Sequence, residues 1–266
     1  MASPNIAAIR LTESGSFDPE GRDTLIVGPG MGTAVRALFA DTARYLTHRF
    51  QIIGIDLPGH GESPAHPEPL TIESLADAVA ALVTNLRRTG TIKDGSKVYF
   101  AGLSISGLIA LQLALEHAEL FDGIAVMASS AVIGTPEDWA QRAEAVEHDG
   151  TESMVEMSAS LWVAHTFTDD TKLEVQKQAL AAADDQTYAA LCRALGAYDA
   201  TDRLAEISLP IFTLAGDQDQ MCTIAEAEQI STTVQHGHTA VVEDAAHLLP
   251  LEHPQRVAEL LDNNLT

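Results

Sequence analysis

Lys97-Val98-Tyr99-Phe100-Ala101-Gly102-Leu103-Ser104-Ile105-Ser106-Gly107 is the stretch whose reading decides the fold. Residues 97–101 are apolar, aromatic and β-branched enough to predict a buried strand, and a helical pattern begins almost at once after it. A serine on so sharp a strand-to-helix turn, here Ser104, is the pattern of a nucleophile held in strained backbone. Strand and helix crowd one another there, so the residues two before and two after must be small. Gly102 and Ser106 meet that need, although Ser106 stands where glycine is commoner.

Outward from this turn, further strands are predicted at 24–27, 51–55, 123–128, 211–215 and 239–242, with amphipathic helical segments at 72–87 and 107–117. Alternating strand and helix implies a mainly parallel sheet covered on both faces. Residues 135–205 hold no strand pattern and read as consecutive helices. Pro136, Glu137 and Asp138 mark a helix start, while Gly150 and the Asp169-Asp170 and Asp184-Asp185 pairs punctuate the rest of this region. The expected organisation is therefore a core of 1–134 and 206–266, with 135–205 a helical cap inserted into it and not an independent domain. Ile6 to Leu11 carries a weak β signal, and 12–23 is rich in turn formers.

The chain has 266 residues, 46% hydrophobic and 20% charged, enough for one sizeable core. Fifteen basic against 38 acidic residues give a net charge of −23, which argues against nucleic acid or an anionic membrane surface as partner. No run of like charge concentrates the excess. Only four of the cations are lysines, at 93, 97, 172 and 177. Two cysteines, Cys192 and Cys222, make no disulfide scaffold and fit a reducing compartment. No export signal is visible near the N-terminus, and apolar stretches such as 108–115 are far shorter than a bilayer span, so a cytoplasmic location is expected.

A serine hydroxyl is a poor nucleophile near neutrality and needs a general base, itself oriented by a carboxylate. For a serine on this kind of turn the chain order is Ser, acid, His. Asp219 leaves the end of the strand at 211–215 and is favoured as the acid; nearby Asp217 is the rival, with a turn or capping role as its alternative. His247 follows the last strand. His60, His236, His238 and His253 lack ligand partners at suitable spacing and are read as ordinary, so no metal site is expected and no cofactor is required. The developing oxyanion needs donors. One is expected from the backbone N–H of Ile105. The other should come from Gly28-Pro29-Gly30-Met31-Gly32, where Pro29 has no N–H and Met31 becomes the donor. That loop lacks the glycine spacing and lysine of a phosphate-binding loop.

The strand pattern, Asp56-Leu57-Pro58-Gly59-His60-Gly61-Glu62-Ser63, the Ser104 turn, Gly216 to Asp219 and His247 together resemble the α/β-hydrolase superfamily from about Thr24 onward. The resemblance implies an α/β-hydrolase fold: a mostly parallel twisted sheet flanked by helices, with a helical cap after the family's sixth strand. Within the superfamily, Thr135-Pro136-Glu137-Asp138-Trp139-Ala140-Gln141-Arg142, Leu161-Trp162 and Tyr188 to Ala194, leading to Asp199, are most similar to the 3-oxoadipate enol-lactonases. This implies a serine hydrolase acting through an acyl-enzyme on a small ester or lactone in aromatic catabolism. A general carboxylesterase on a neutral ester, a carbon–carbon bond hydrolase of a ring-cleavage pathway and a binding protein without turnover are the alternatives; a homo-oligomer is left open. Those lactonases carry Arg before the tryptophan of the second cap motif and an aromatic after it, where this chain has Leu161 and Val163. Arg142 and Arg193 remain candidates to bind a substrate carboxylate, and Trp139 and Trp162 to wall the pocket.

Overall fold

In a computed structural model, residues 4–11 and 22–265 are described. Along them run β1 (Ala8–Arg10), β2 (Asp23–Gly28), α1 (Val35–Leu46), β3 (Phe50–Ile55), α2 (Ile72–Arg88), β4 (Val98–Leu103), α3 (Ile105–Glu116) and β5 (Gly123–Met127). Four helices come next without a strand: α4 (Pro136–Asp149), α5 (Val155–Trp162), α6 (Asp170–Ala181) and α7 (Asp185–Ala197). The chain then returns through β6 (Ile211–Gly216), α8 (Ile224–Thr233), β7 (Gly237–Val242), the single turn α9 (Leu249–Glu252) and α10 (Pro254–Asn264).

The seven strands form one sheet in the order β1-β3-β2-β4-β5-β6-β7, all parallel except β1, which pairs antiparallel with β3. Every residue of β4, β5 and β6 is buried, as expected for parallel strands covered on both faces. α1 packs with α10 and α2 with α3. α3 is apolar all round and buried from Ile105 to Ala114, so it is a core helix rather than a surface one. The strand order reverses between β2 and β4, and the loops leaving their C-terminal ends open a crevice there, the usual place for a site in such sheets.

Two expectations shift. The weak signal at Ile6 to Leu11 contains a real strand, β1, of only three residues. Most of the turn-rich stretch after it lies outside the described residues, which resume at 22. The four consecutive helices lie between the fifth and sixth described strands, as an inserted cap requires, and α3 starts at Ile105, directly behind Ser104 and ahead of the expected 107. The punctuation among these helices has a simple chemical origin: Thr135, Asp169 and Asp184 each accept a backbone N–H three residues on, capping α4, α6 and α7. Among the described residues no helix is long and apolar enough to cross a membrane.

Candidate active site

Ser104 sits between β4 and α3 with φ 56° and ψ −121°, backbone that L-residues rarely adopt. Such strain, of order 1–3 kcal/mol, persists only where neighbours over-determine it. Its N–H donates to Met127 O at 2.9 Å, and its carbonyl accepts from Gly107 N at 2.7 Å and Ser129 Oγ at 2.8 Å. A Cβ at Gly102 would stand 1.9 Å from Ser106 O, so glycine is required there. Ser106 is fully buried and its hydroxyl donates to Pro29 O at 2.6 Å, tying the turn to the loop after β2.

The two peptide N–H groups expected to meet an oxyanion are oriented by their own carbonyls. In a trans peptide C=O and N–H point opposite ways. Gly30 O accepts from Thr33 N at 3.2 Å and Thr33 Oγ1 at 2.8 Å, which turns the Met31 N–H to the other side. Ser104 O is held by Gly107 and Ser129 in the same manner, which turns the Ile105 N–H to the other side at the first turn of α3, where the helix dipole favours negative charge.

Twenty-eight residues separate Asp219 from His247, yet their loops interlace. Gln218 N donates to Ala245 O at 2.9 Å and Asp217 N to Val242 O at 3.2 Å. A Cβ at Gly216 would lie 2.3 Å from the carbonyls of Ala245 and Ala246. Asp244 takes φ 56° in the tight turn before His247. The outcome is a buried contact of 2.8 Å between His247 Nδ1 and Asp219 Oδ2. Burial works to raise the Asp219 pKa but is outweighed by the adjacent imidazole and by N–H donation from Met221 and Cys222, so the carboxyl is held below its ordinary value. Asp217 is exposed and accepts from Ala245 N at 3.2 Å, the turn role of a carboxylate.

Asp219, Cys222 and His247 also bring three possible metal-ligating atoms within 4.8 Å of one another. Both Asp219 oxygens are already engaged, and burial, with Asp219 beside it, pushes the Cys222 thiol well above its ordinary pKa, away from the thiolate a metal needs. The donor set suits a proton relay better than an ion.

Ser104 and His247 line one cavity of about 30 Å³ beneath α4 and α5, together with Gly30, Met31, Trp139, Arg142, Ser158, Leu161 and Trp162. Thus Met31, Trp139, Arg142 and Trp162 gather where the sequence placed them, and Ile105 lies fully buried behind Ser104. Arg193 does not join them. It pairs with Glu147 at 2.7 Å on the outer face of α7 and is half exposed, because its helical position points away from the cavity; its expected substrate contact is corrected accordingly. Arg142 instead donates to Tyr188 Oη at 2.5 and 3.0 Å and to Ser158 Oγ at 2.8 Å, with Trp139 and Tyr188 rings 5.8 and 5.6 Å away. Its partners are neutral hydroxyls; no carboxylate among the described residues pairs with it.

Ser158, Thr33 and Ser129 carry no sequence signal of their own, since each acts through a contact that only the folded chain brings about. Tyr188 is visible in the sequence only as part of a cap motif. His60 is buried against Tyr188, ring centroids 5.9 Å apart, and outside the cavity. His236 and His238 line a groove at the opposite, N-terminal end of β5, β6 and β7.

The pattern of the family described as "Alpha/beta hydrolase family" matches residues 25–260. The chain is 30% identical over 244 residues to 3-oxoadipate enol-lactonase 1 of Acinetobacter baylyi, covering 91% of this chain and 88% of that one. It is 28% identical over 244 residues to a pimeloyl-(acyl-carrier protein) methyl ester esterase of Neisseria meningitidis, covering 85% and 88%. The crystal structure of the enol-lactonase from Burkholderia xenovorans superimposes with a TM-score of 0.87 at 24% identity, over 99% of this chain and 98% of that one.

Proposed function

We propose, from the premise that the chain belongs to the alpha/beta hydrolase family, that it is a serine hydrolase opening a small anionic lactone through an acyl-enzyme, as a 3-oxoadipate enol-lactonase does. The observation that carries this reading is the buried 2.8 Å Asp219–His247 pair whose imidazole shares a cavity with Ser104. Ser104 Oγ attacks the lactone carbonyl while His247 takes its proton; Asp219 holds the imidazole in orientation and stabilises its cation. The Met31 and Ile105 amides receive the charge on the carbonyl oxygen. Collapse breaks the ring C–O bond and His247 returns the proton to the leaving oxygen, which stays tethered in the acyl chain. Water, deprotonated by His247, then frees Ser104.

Arg142 favours an anionic substrate, because a guanidinium bonded only to hydroxyls has its charge available to a carboxylate entering the cavity. Leu161, which lines the same cavity where the lactonases carry arginine, favours a second reading, a carboxylesterase on a neutral ester. Assaying an enol-lactone, aryl esters and a ring-cleavage diketone decides among the three chemistries. The lactone is expected to turn over fastest, and Ser104→Ala to abolish both turnover and fluorophosphonate labelling. Arg142→Met should weaken use of the lactone roughly ten- to hundredfold and spare neutral esters, since a charge-assisted contact is worth about 1.5–3 kcal/mol. Hydrolysis of p-nitrophenyl acetate with the lactone chromophore intact would overturn the lactonase reading, and labelling that survives in Ser104→Ala the nucleophile.

A further inference from the structure

Leu248-Leu249-Pro250-Leu251-Glu252 sets one acid at the end of an apolar run, five residues after His247. Glu252 has not been sent to the surface. Its Oε2 accepts the N–H of Ala164 at 2.6 Å, and its Oε1 the N–H of Ala246 at 3.0 Å. Ala164 leaves the end of α5; Ala246 directly precedes His247. Beside these bonds, Trp162 O accepts the N–H groups of both His247, at 3.1 Å, and Leu248, at 2.8 Å. Four hydrogen bonds thus join residues 162–164 to 246–248, and one side chain supplies two of them.

We infer that Glu252 is a positioning residue for the hydrolytic reaction, strapping the segment after α5 to the loop of His247 so that the imidazole and the cavity wall keep one register. The inference rests on the reading of His247 as the general base. Burial pushes the Glu252 carboxyl up, with Asp219 adding to it, against the two N–H bonds and His253. A raised carboxyl contributes stability that is fully present below its unfolded pKa and lost as pH rises through its folded value. Once ionised, the group therefore adds no stability through this shift, which fits a role in geometry. His253 and Asp219 are the titratable groups facing it, and Asp169, Lys172 and Asp244 line the open groove of about 290 Å³ beside it. A proton on Glu252 makes one of the two oxygens a hydroxyl and a weaker acceptor for its backbone N–H, so the strap is strongest with the carboxylate.

Glu252→Gln tests this, because the amide keeps the shape but sets NH2 against one of the two N–H donors. The expected results are faster hydrogen exchange at the Ala164 and Ala246 amides, little change in Tm, and kcat reduced about ten- to hundredfold with KM nearly constant, as for a displaced catalytic group. The acid limb of the kcat–pH profile should become less steep, one ionisation having been removed. Glu252→Ala should match these losses. Unchanged exchange at both amides, kcat within about twofold of the parent, or a rise in KM alone would overturn the inference; so would a loss of kcat that only tracks a loss of folded protein. If the parent protein cleaves no ester or lactone, the proposed function fails, while the exchange at Ala164 and Ala246 still decides whether Glu252 joins the two segments.

Discussion

The 2.8 Å contact between Asp219 and His247 makes a prediction in two parts. Because Asp219 is held below its ordinary range, the pair stabilises the fold above the normal carboxylate pKa of about 4, and that stability is lost as pH falls through the lowered value. Asp219→Asn should flatten the acid side of a Tm–pH curve and lower kcat on the order of 10⁴-fold, by leaving the imidazole in the wrong tautomer; a fall of less than tenfold would return Asp217 to consideration. Ser106 gives a second. Ser106→Ala strands the buried Pro29 carbonyl and should cost about 1–3 kcal/mol in urea unfolding, with kcat falling as the loop bearing Met31 loosens. The strained turn at Ser104 and the approach of Asp219 to His247 were legible because chain order and flanking strands locate them. The departure of Ser106 from glycine was legible too, but its hydroxyl's use was not, since Pro29 lies 77 residues away and only the folded chain brings it close. Glu252 left a trace, an acid among leucines, whose meaning needed the two amides it meets.

At the scale of elements, parallel strands announced themselves as continuous apolar runs because both their faces are covered. β1 did not: three residues with alternating exposure on a sheet edge bury too little to write a pattern. Among the helices, the carboxylates at Asp169 and Asp184 were readable as stops and serve as N-caps for α6 and α7, whereas the direction each helix faces was not readable, and Arg193 was misplaced for that reason. The cavity below α4 and α5 is small, about 30 Å³. Entry of a substrate is expected to displace the helices that cover it. α5 is tied to its neighbours only through side chains, Ser158 to Arg142 of α4 at 2.8 Å and Glu156 to Lys177 of α6 at 2.6 Å, and through the strap at its C-terminal end, whereas β4 lies buried within the sheet. Backbone amides of α5 are expected to exchange faster than those of β4 and to slow when Ser104 carries a phosphonate; equal exchange in both elements would mean that the opening lies elsewhere.

For the whole molecule, the excess of acid suggests at first sight that an anionic substrate would be turned away. At an ionic strength of about 0.15 M the Debye length is about 8 Å, so a cation inside a covered cavity outweighs a distant surface field. The same charge of −23, with few lysines, predicts self-repulsion that salt relieves: Tm should rise between low and high sodium chloride, and a flat response would remove surface repulsion as a term in stability. The four helices between β5 and β6 bear on how the molecule is made. Ile124 must find Ile211 and Met127 must find Leu214 across that whole insertion, so the closing entropy of a long loop is met before the middle of the sheet can join its far edge. Until then β5 presents an unpaired, wholly apolar margin to any neighbouring chain. Refolding from denaturant should accordingly regain helix before hydrolase activity and lose yield as protein concentration rises, the route to aggregation lying through β5 and not through the site it supports.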